Sequence, residues 1–249
     1  MPSISAVIIT FNEEKNIERC LNSLSGLADE IVVVDSFSTD RTEELCKPFN
    51  VRFIPHAFAG HIQQKNYAKD CASNQWVLSL DADEALSQEL KQNLLQWKEK
   101  SNPEVDGYVV NRLTHYGNKF VRHSGWYPDR KLRLWKKDAG QWGGLNPHDK
   151  FELFQGPTQR ISGDLLHYSF SGWRNHLEVN KKFAAIAAKS LYESGKKGRA
   201  WKRFISPYFQ FIQNFFFRLG FLDGLTGIRV CAITAYYTYL KYKLLSEME

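Results

Sequence analysis

The sequence predicts an α/β fold with a mixed central sheet, followed by a C-terminal helical extension, and three observations carry that prediction. Over the first hundred residues short β-branched runs alternate with helical patterns, the rhythm of successive βαβ units that build a parallel sheet. From Gly107 the rhythm changes to strands joined by loops rich in His, Trp, Tyr and Arg, with no clear helix until about Trp173. The remainder is helical and aromatic.

Each element has its own signal. Ile4–Thr10 is a β-branched run that reads as a strand, and in the segment from Glu13 to Leu24 the residues Ile17, Leu21 and Leu24 recur at helical spacing. Ile31–Asp35 is a second strand, leading through Ser36-Phe37-Ser38-Thr39-Asp40 into a helix. Val51–Ile54 is a third strand, Ile62–Ala72 a helix, and Trp76–Leu80 a fourth strand that stops abruptly at Asp81-Ala82-Asp83-Glu84. A helix follows over Gln88–Trp97. Right-handed crossovers place the ends of these strands on one edge of the sheet, where open α/β folds bind ligands. Gly107–Leu113 and Lys131–Lys136 then read as strands, Phe204–Leu219 as an aromatic amphipathic helix, and Arg229–Leu245 as the closing helix. The expected division is a domain over residues 1–170, with halves 1–100 and 107–170, and a helical, basic and aromatic region over 171–249.

Composition excludes several classes. With 43% hydrophobic and 24% charged residues in 249, the chain is neither disordered nor collagen-like. The net charge of +6 is unevenly spread: residues 1–100 hold 10 basic and 15 acidic side chains (−5), residues 101–249 hold 23 and 12 (+11). One part therefore concentrates carboxylates while the other suits an anionic partner. Cys20, Cys46, Cys71 and Cys231 form no C-x-x-C pair, so no zinc site or disulfide framework is signalled and a reducing cytosol is the expected compartment. No leader pattern is expected at Met-Pro-Ser-Ile-Ser, and the most apolar stretch, 204–217, is broken by Pro207, Gln210, Gln213 and Asn214.

The chemistry gathers at strand ends. Asp81 and Asp83 sit two residues apart, so in extended backbone their carboxylates point the same way. Like charges in one place are unfavourable unless a cation lies between them, and hard oxygen ligands suit Mg²⁺ or Mn²⁺. The plainer alternative is a cap for the following helix. A second strand ends in Asp35 before a Ser/Thr-rich turn, and the first ends in Thr10-Phe11-Asn12-Glu13.

With Thr10-Phe11-Asn12-Glu13, Val34-Asp35-Ser36-Phe37-Ser38-Thr39-Asp40-Arg41-Thr42 and Leu80-Asp81-Ala82-Asp83-Glu84 in this order, the sequence resembles the family 2 glycosyltransferases, inverting enzymes of the GT-A fold that use nucleotide sugars. The segments 60–68, 125–134, 165–169 and 218–224 look like the branch that builds bacterial lipopolysaccharide core, whose members add a hexose, typically glucose, to the innermost heptose. The resemblance covers nearly the whole chain. It implies a Rossmann-like nucleotide-sugar-binding domain and a divalent cofactor, Mn²⁺ or Mg²⁺. It further implies that Thr10, Phe11 and Asp35 hold the nucleotide base, a role their chemistry suits: a ring packs on the base and a carboxylate accepts the N–H of uracil. Asp35 alone would also serve as a cap. Lys65 matches a basic position near the nucleotide, although a lone helical lysine is ordinarily solvated. Asp81 is expected near the ribose, Asp83 on the metal, and His167 within reach of the metal or diphosphate, its alternative being a hydrogen-bonded structural histidine.

Inverting transfer needs a general base opposite the leaving diphosphate. The family places a carboxylate after a histidine, usually His-Glu; here Asn146-Pro147-His148-Asp149 offers the shorter Asp149, with Glu152 in reserve. Phe37 also departs from the resemblance, because relatives carry glycine there; either its backbone is ordinary or its ring lies near the nucleotide. Trp126, Tyr127, Asp129 and Arg130 are expected to line the acceptor pocket, with Arg130 or Arg133 suited to a phosphate or carboxylate. The alternative makes Trp126 core and the arginines solvated.

The basic cluster Lys196, Lys197, Arg199, Lys202 and Arg203 beside an aromatic helix resembles an interfacial membrane anchor, at about 1 kcal/mol per cation near an anionic surface. Packing on the catalytic domain or pairing in a dimer is the alternative. The expected partners are a nucleotide-sugar donor, a lipid-linked saccharide acceptor and the cytoplasmic face of the inner membrane. Other acceptors, such as a polyprenyl phosphate or a peptide, remain open, as does a non-catalytic basic binder of membrane or nucleic acid. Nucleic acid is disfavoured, because Asp35, Asp81 and Asp83 at strand ends would repel phosphate.

Overall fold

The structure is a computed structural model that describes residues 1–100, 104–145, 148–197 and 201–248. It contains two compact units, 1–112 with 129–167 and 113–128 with 168–249.

In the first unit β1 (Ile4–Thr10), β2 (Glu30–Asp35), β3 (Arg52–Pro55) and β4 (Trp76–Asp81) form a parallel half-sheet in the order β3-β2-β1-β4. Three helices connect them in turn: α1 (Ile17–Leu24), α2 (Thr42–Cys46) and α3 (His61–Cys71). The apolar runs are continuous because both sheet faces are covered. Ile4, Ala6 and Ile8 pack on one side with Leu21, Leu24, Leu90 and Leu94, while Val7, Val32 and Val34 pack on the other with Ala68 and Ala72. The predicted helix from Glu13 begins instead at Ile17, because the backbone of Glu13 and Glu14 bonds outward to Thr42 and Asp40.

Beyond β4 the sheet turns antiparallel, through β8 (Asp129–Lys136), β6 (Gly107–Tyr116), β11 (Thr158–Phe170) and β5 (Glu84–Leu86). The helix α4 (Gln88–Lys100) follows β5, and the short β7 (Lys119–Phe120) pairs with β6. A separate hairpin joins β9 (Gly140–Leu145) to β10 (His148–Leu153), with Asp149 opposite Gly144. Phe151 of this hairpin stacks on Trp135 of β8 at 3.7 Å between ring centroids, and Trp142 meets both edge-on.

The second unit holds α5 (Trp173–Glu193), α6 (Lys202–Ile212), a π-helical turn (Gln213–Phe217), a 3₁₀ turn (Gly220–Asp223) and α7 (Leu225–Glu247), with α7 packed on both α5 and α6. Within it Tyr116, Val121, Val230, Trp126 and Phe170 form a small core. Asp223 is buried and accepts from the backbone N–H of His123 at 2.9 Å and, more weakly, of Arg122 at 3.4 Å. The predicted helix 204–219 is thus an α-helix that starts at Lys202 and ends in a π turn. Arg199 of the basic cluster lies outside the described residues, as do Asn146 and Pro147. All four cysteines are free, and no helix among the described residues is long and apolar enough to cross a membrane.

Candidate active site

The carboxyl ends of β1, β2 and β4 bring the three acidic motifs to one edge of the parallel half-sheet, since Thr10 is register partner to Asp35 and Ile9 to Asp81. The first two motifs are braced together. Asn12 lies at φ +54°, its Oδ1 accepts from Thr39 N–H at 2.8 Å, and its own N–H donates to Ser38 Oγ at 2.8 Å. Glu13 N–H donates to Thr42 Oγ1 and Glu14 N–H to Asp40 Oδ2. Ser38, Thr39, Asp40 and Thr42 are therefore the struts of this edge, and the Ser/Thr-rich composition of the turn follows from those bonds.

Asp35 is buried, and Ser38 bonds to both of its oxygens, through N–H at 2.8 Å and through the hydroxyl. A carboxylate accepts about four hydrogen bonds, so capping its own turn leaves it capacity for a ligand. Thr10 Oγ1 is buried without a hydrogen-bond partner, and Phe11 presents an exposed ring beside it in sequence. Phe37 adopts φ +61° with an exposed ring. Of the two readings of that position, the ordinary backbone is excluded: phenylalanine occupies the left-handed conformation that glycine would take more cheaply.

Lys65 is the centre of the charge network. It is buried on α3, with Nζ 2.8 Å from Asp149 Oδ2, 3.0 Å from Asp81 Oδ1 and 4.5 Å from the centroid of the Trp142 ring. The plainer alternative, a solvated lysine, fails because Asn66, next on the helix, exchanges two hydrogen bonds with the backbone of Trp142, and this fixes the helix against the hairpin. Arg133 is also turned inward. It is 3% exposed, and its guanidinium lies 2.6 Å from Glu84 Oε1 and 3.4 Å from Asp81 Oδ2, so it is not available to an acceptor anion as expected. Glu84, fully buried, also accepts from Asp81 N–H at 3.0 Å. Burial opposes ionisation of Asp81, but Lys65 and then Arg133 outweigh it and hold the carboxyl well below the usual carboxylate range. Burial likewise opposes the charge on Arg133, which Glu84 foremost and Asp81 keep protonated.

The sequence singles out Arg133 for an acceptor anion and gives Glu84 no role, yet it holds the signal for their pairing. An arginine inside a central strand covered on both faces must meet a buried carboxylate, because an unpaired buried charge costs several kcal/mol.

Asp83 and His167 come together, with His167 Nε2 3.2 Å from Asp83 Oδ2; the register of β11 on β5 puts His167 opposite Glu84. Glu13 is held above the usual glutamate range, by its burial first and then, against the lowering bond from Asn16, by Asp83, Asp40 and Asp81. The edge thus carries surplus negative charge that a cation would relieve. Among the described residues no group of three His, Cys, Asp or Glu side chains closes around a metal. A Mg²⁺- or Mn²⁺-type site takes one or two protein ligands and completes its shell with water and substrate phosphate.

Asp149 joins the network through Lys65, whereas Glu152 projects from the opposite face of β10 and pairs with Lys150 at 2.8 Å. The expected acceptor residues are divided between the two units. Asp129 is in the first unit, forked by Arg112 at 2.8 Å and by Lys131 at 3.1 Å, and Arg130 beside it is exposed. Trp126 and Tyr127 belong to the second unit, where Trp126 packs on Tyr116, Phe170 and His176 and Tyr127 lies under Arg122.

Comparison with known proteins agrees with these motifs. The chain is 29% identical over 257 aligned residues to an uncharacterized glycosyltransferase of Rickettsia typhi, covering 100% of this chain and 88% of that protein. It is 28% identical to the lipopolysaccharide core biosynthesis glycosyltransferase LpsC of Rhizobium meliloti, covering 97% and 93% of the two chains. Among solved structures it resembles the crystal structure of S. aureus TarS 1–349, with 16% identity, 97% and 91% coverage and a TM-score of 0.47. Residues 5–156, more than half of the chain, match the family described as Glycosyl transferase family 2. With the family's motifs ending three strands of a Rossmann-like half-sheet that continues antiparallel in the GT-A manner, the chain belongs to glycosyl transferase family 2 and is a glycosyltransferase.

Proposed function

We propose that this glycosyltransferase is metal-dependent and inverting, and that it moves a hexose, glucose foremost, from a UDP-linked donor to a lipid-linked saccharide of the lipopolysaccharide inner core. It would work in the cytoplasm, in peripheral contact with the cytoplasmic face of the inner membrane. The observation that carries the chemistry is the Asp81–Lys65–Asp149 chain, which puts the proposed base beside the strand ends that carry the nucleotide motifs. The acceptor class rests on the full-length likeness to LpsC.

In this reading Phe11 packs on the base, Asp35 accepts the uracil N–H with its free lone pairs, and Thr10 Oγ1 finds in the nucleotide the partner it lacks. Asp81, kept ionised by Lys65 and Arg133, accepts from a ribose hydroxyl. Asp83 and His167 would hold a divalent cation on the diphosphate, where it supplies Lewis-acid stabilisation of the charge on the leaving group. The acceptor oxygen bonds to the anomeric carbon as the bond from that carbon to the diphosphate oxygen breaks. Asp149 takes the acceptor proton, and the electron pair leaves with the nucleoside diphosphate. Lys65 Nζ, 2.8 Å from Asp149 Oδ2, holds that carboxylate in place before the step, and moving its ammonium toward the diphosphate frees the carboxylate to act.

The test is thermal unfolding against a panel of nucleotide sugars with and without Mn²⁺ or Mg²⁺, followed by transfer to a lipid-linked core acceptor. UDP-glucose is expected to raise Tm in the presence of the cation, by linkage to the native state. Absence of any response across the panel overturns the reading.

A further inference from the structure

We infer that residues 201–228, the outer face of α6 with the turns that follow it, form an interfacial docking surface for an anionic lipid bilayer, lying on the membrane without spanning it. This deepens the peripheral contact in the proposed function and rests on that reading.

The first observation is exposure. On α6 the large side chains Phe204, Ile205, Tyr208, Phe209 and Ile212 recur as one stripe at helical spacing, and all of them are exposed, Tyr208 by 74%. Exposed apolar side chains continue along the chain beyond the helix. Phe217 of the π turn is 79% exposed and Leu225 at the start of α7 is 72% exposed. Packing on α7 uses the other side of α6, where Gln210 and Phe211 are half-buried. An apolar surface of this extent in a water-facing protein marks an interaction site.

The second observation is charge, and it selects the occupant. Between Glu193 and Glu247 the chain carries nine Lys and Arg and a single acidic residue, Asp223. Asp223 is buried and bonded to the backbone of Arg122 and His123, so it offers nothing outward. Lys196, Lys197, Arg218 and Arg229 are exposed, the last two in or next to the segment 201–228 that carries the apolar residues. A second copy of this face would bring cations against cations with no carboxylate to pair them. Anionic headgroups complement them, while the rings and aliphatic side chains enter the headgroup boundary. Because no described helix is long and apolar enough to cross a membrane, α6 lies in the interface plane.

The experiment is co-sedimentation of the full chain with vesicles of phosphatidylcholine alone or with about one quarter phosphatidylglycerol, without donor or acceptor, alongside sedimentation velocity. Strong partition onto the phosphatidylglycerol vesicles is expected, falling at least tenfold at high salt. It is also expected to fall tenfold in the double variant Phe217→Ser, Leu225→Ser, with its thermal unfolding unchanged because both side chains are exposed. Equal binding by variant and wild type, or no binding to anionic vesicles, overturns the inference. A concentration-dependent dimer that the double variant dissolves, without vesicle binding, overturns it in favour of self-association. Retained UDP-sugar stabilisation in either case leaves the catalytic reading standing.

Discussion

Phe37 combines a left-handed backbone with an exposed ring. A non-glycine residue held at φ +61° costs about 1–2 kcal/mol, and the exposed side chain recovers none of it by burial. Phe37→Gly is expected to leave Tm unchanged or raise it slightly, since the relief roughly balances the added chain entropy. Nucleotide affinity should fall severalfold, measured by calorimetric titration with UDP. Unaltered affinity would show that the ring has no part in the site. Asp149 makes a different prediction. Asp149→Asn keeps the shape and the contact with Lys65 but removes the proton acceptor, so turnover should drop about 100- to 10,000-fold while UDP-sugar still raises Tm. Near-normal turnover sinks the assignment. Asp35, Asp81, Asp83 and Lys65 were legible in the sequence as motif positions. That Lys65 is buried between two carboxylates was not, because helical periodicity does not report what a hairpin eighty residues away will cover.

Elements differ in how far their own residues specify them. β1 and β2 are β-branched runs and β4 a largely apolar one, all buried on both faces, and they were legible to within a residue. β9, β10 and β11 were not. Gly140, Gly143 and Gly144 dilute β9, the charged residues Asp149, Lys150 and Glu152 fill half of β10, and Gly163 interrupts β11, so their strand character comes from cross-strand partners rather than intrinsic preference. These are the elements that carry Asp149 and His167, which is why the geometry of the candidate site waited for the structure. Close approach matters at the element scale too. Gly227, in the first turns of α7, lies against the 3₁₀ turn, and a Cβ built there would overlap the carbonyl oxygen of Gly220. Gly227→Ala should therefore cost about 2–3 kcal/mol, by displacing helix from turn, whereas Gly26→Ala, with no atom near its Cβ, should cost only the strain of its positive φ. Denaturant unfolding of the two variants separates these outcomes.

For the whole molecule, acid should act in two windows. Burial pushes His176 down to about 4, in the aromatic cluster of the second unit. The unfolded chain takes up that proton near 6.5 and the folded chain only near 4, so the stability it contributes is complete above pH 6.5. That contribution is lost as pH falls through the interval, by up to about 3 kcal/mol. Asp81 is held low in the fold, so its contribution is complete above its ordinary value of 3.8 and is lost only at more acid pH. Unfolding free energy measured from pH 7 to 4 should decline, and His176→Phe should flatten that decline; an unchanged slope removes His176 as its cause. The sequence by itself determined the α/β alternation, the three strand-end motifs, the family and the division of charge between an acidic first part and a basic remainder. All of these are local patterns, written in hydrophobic period and residue type. Only the tertiary structure decided that Lys65 ties Asp81 to Asp149, that Arg133 turns inward onto Glu84, and that the aromatic stripe of α6 stays uncovered. Those outcomes depend on which distant segments meet, and burial of charge or exposure of apolar surface is a property of that meeting rather than of any one stretch of chain.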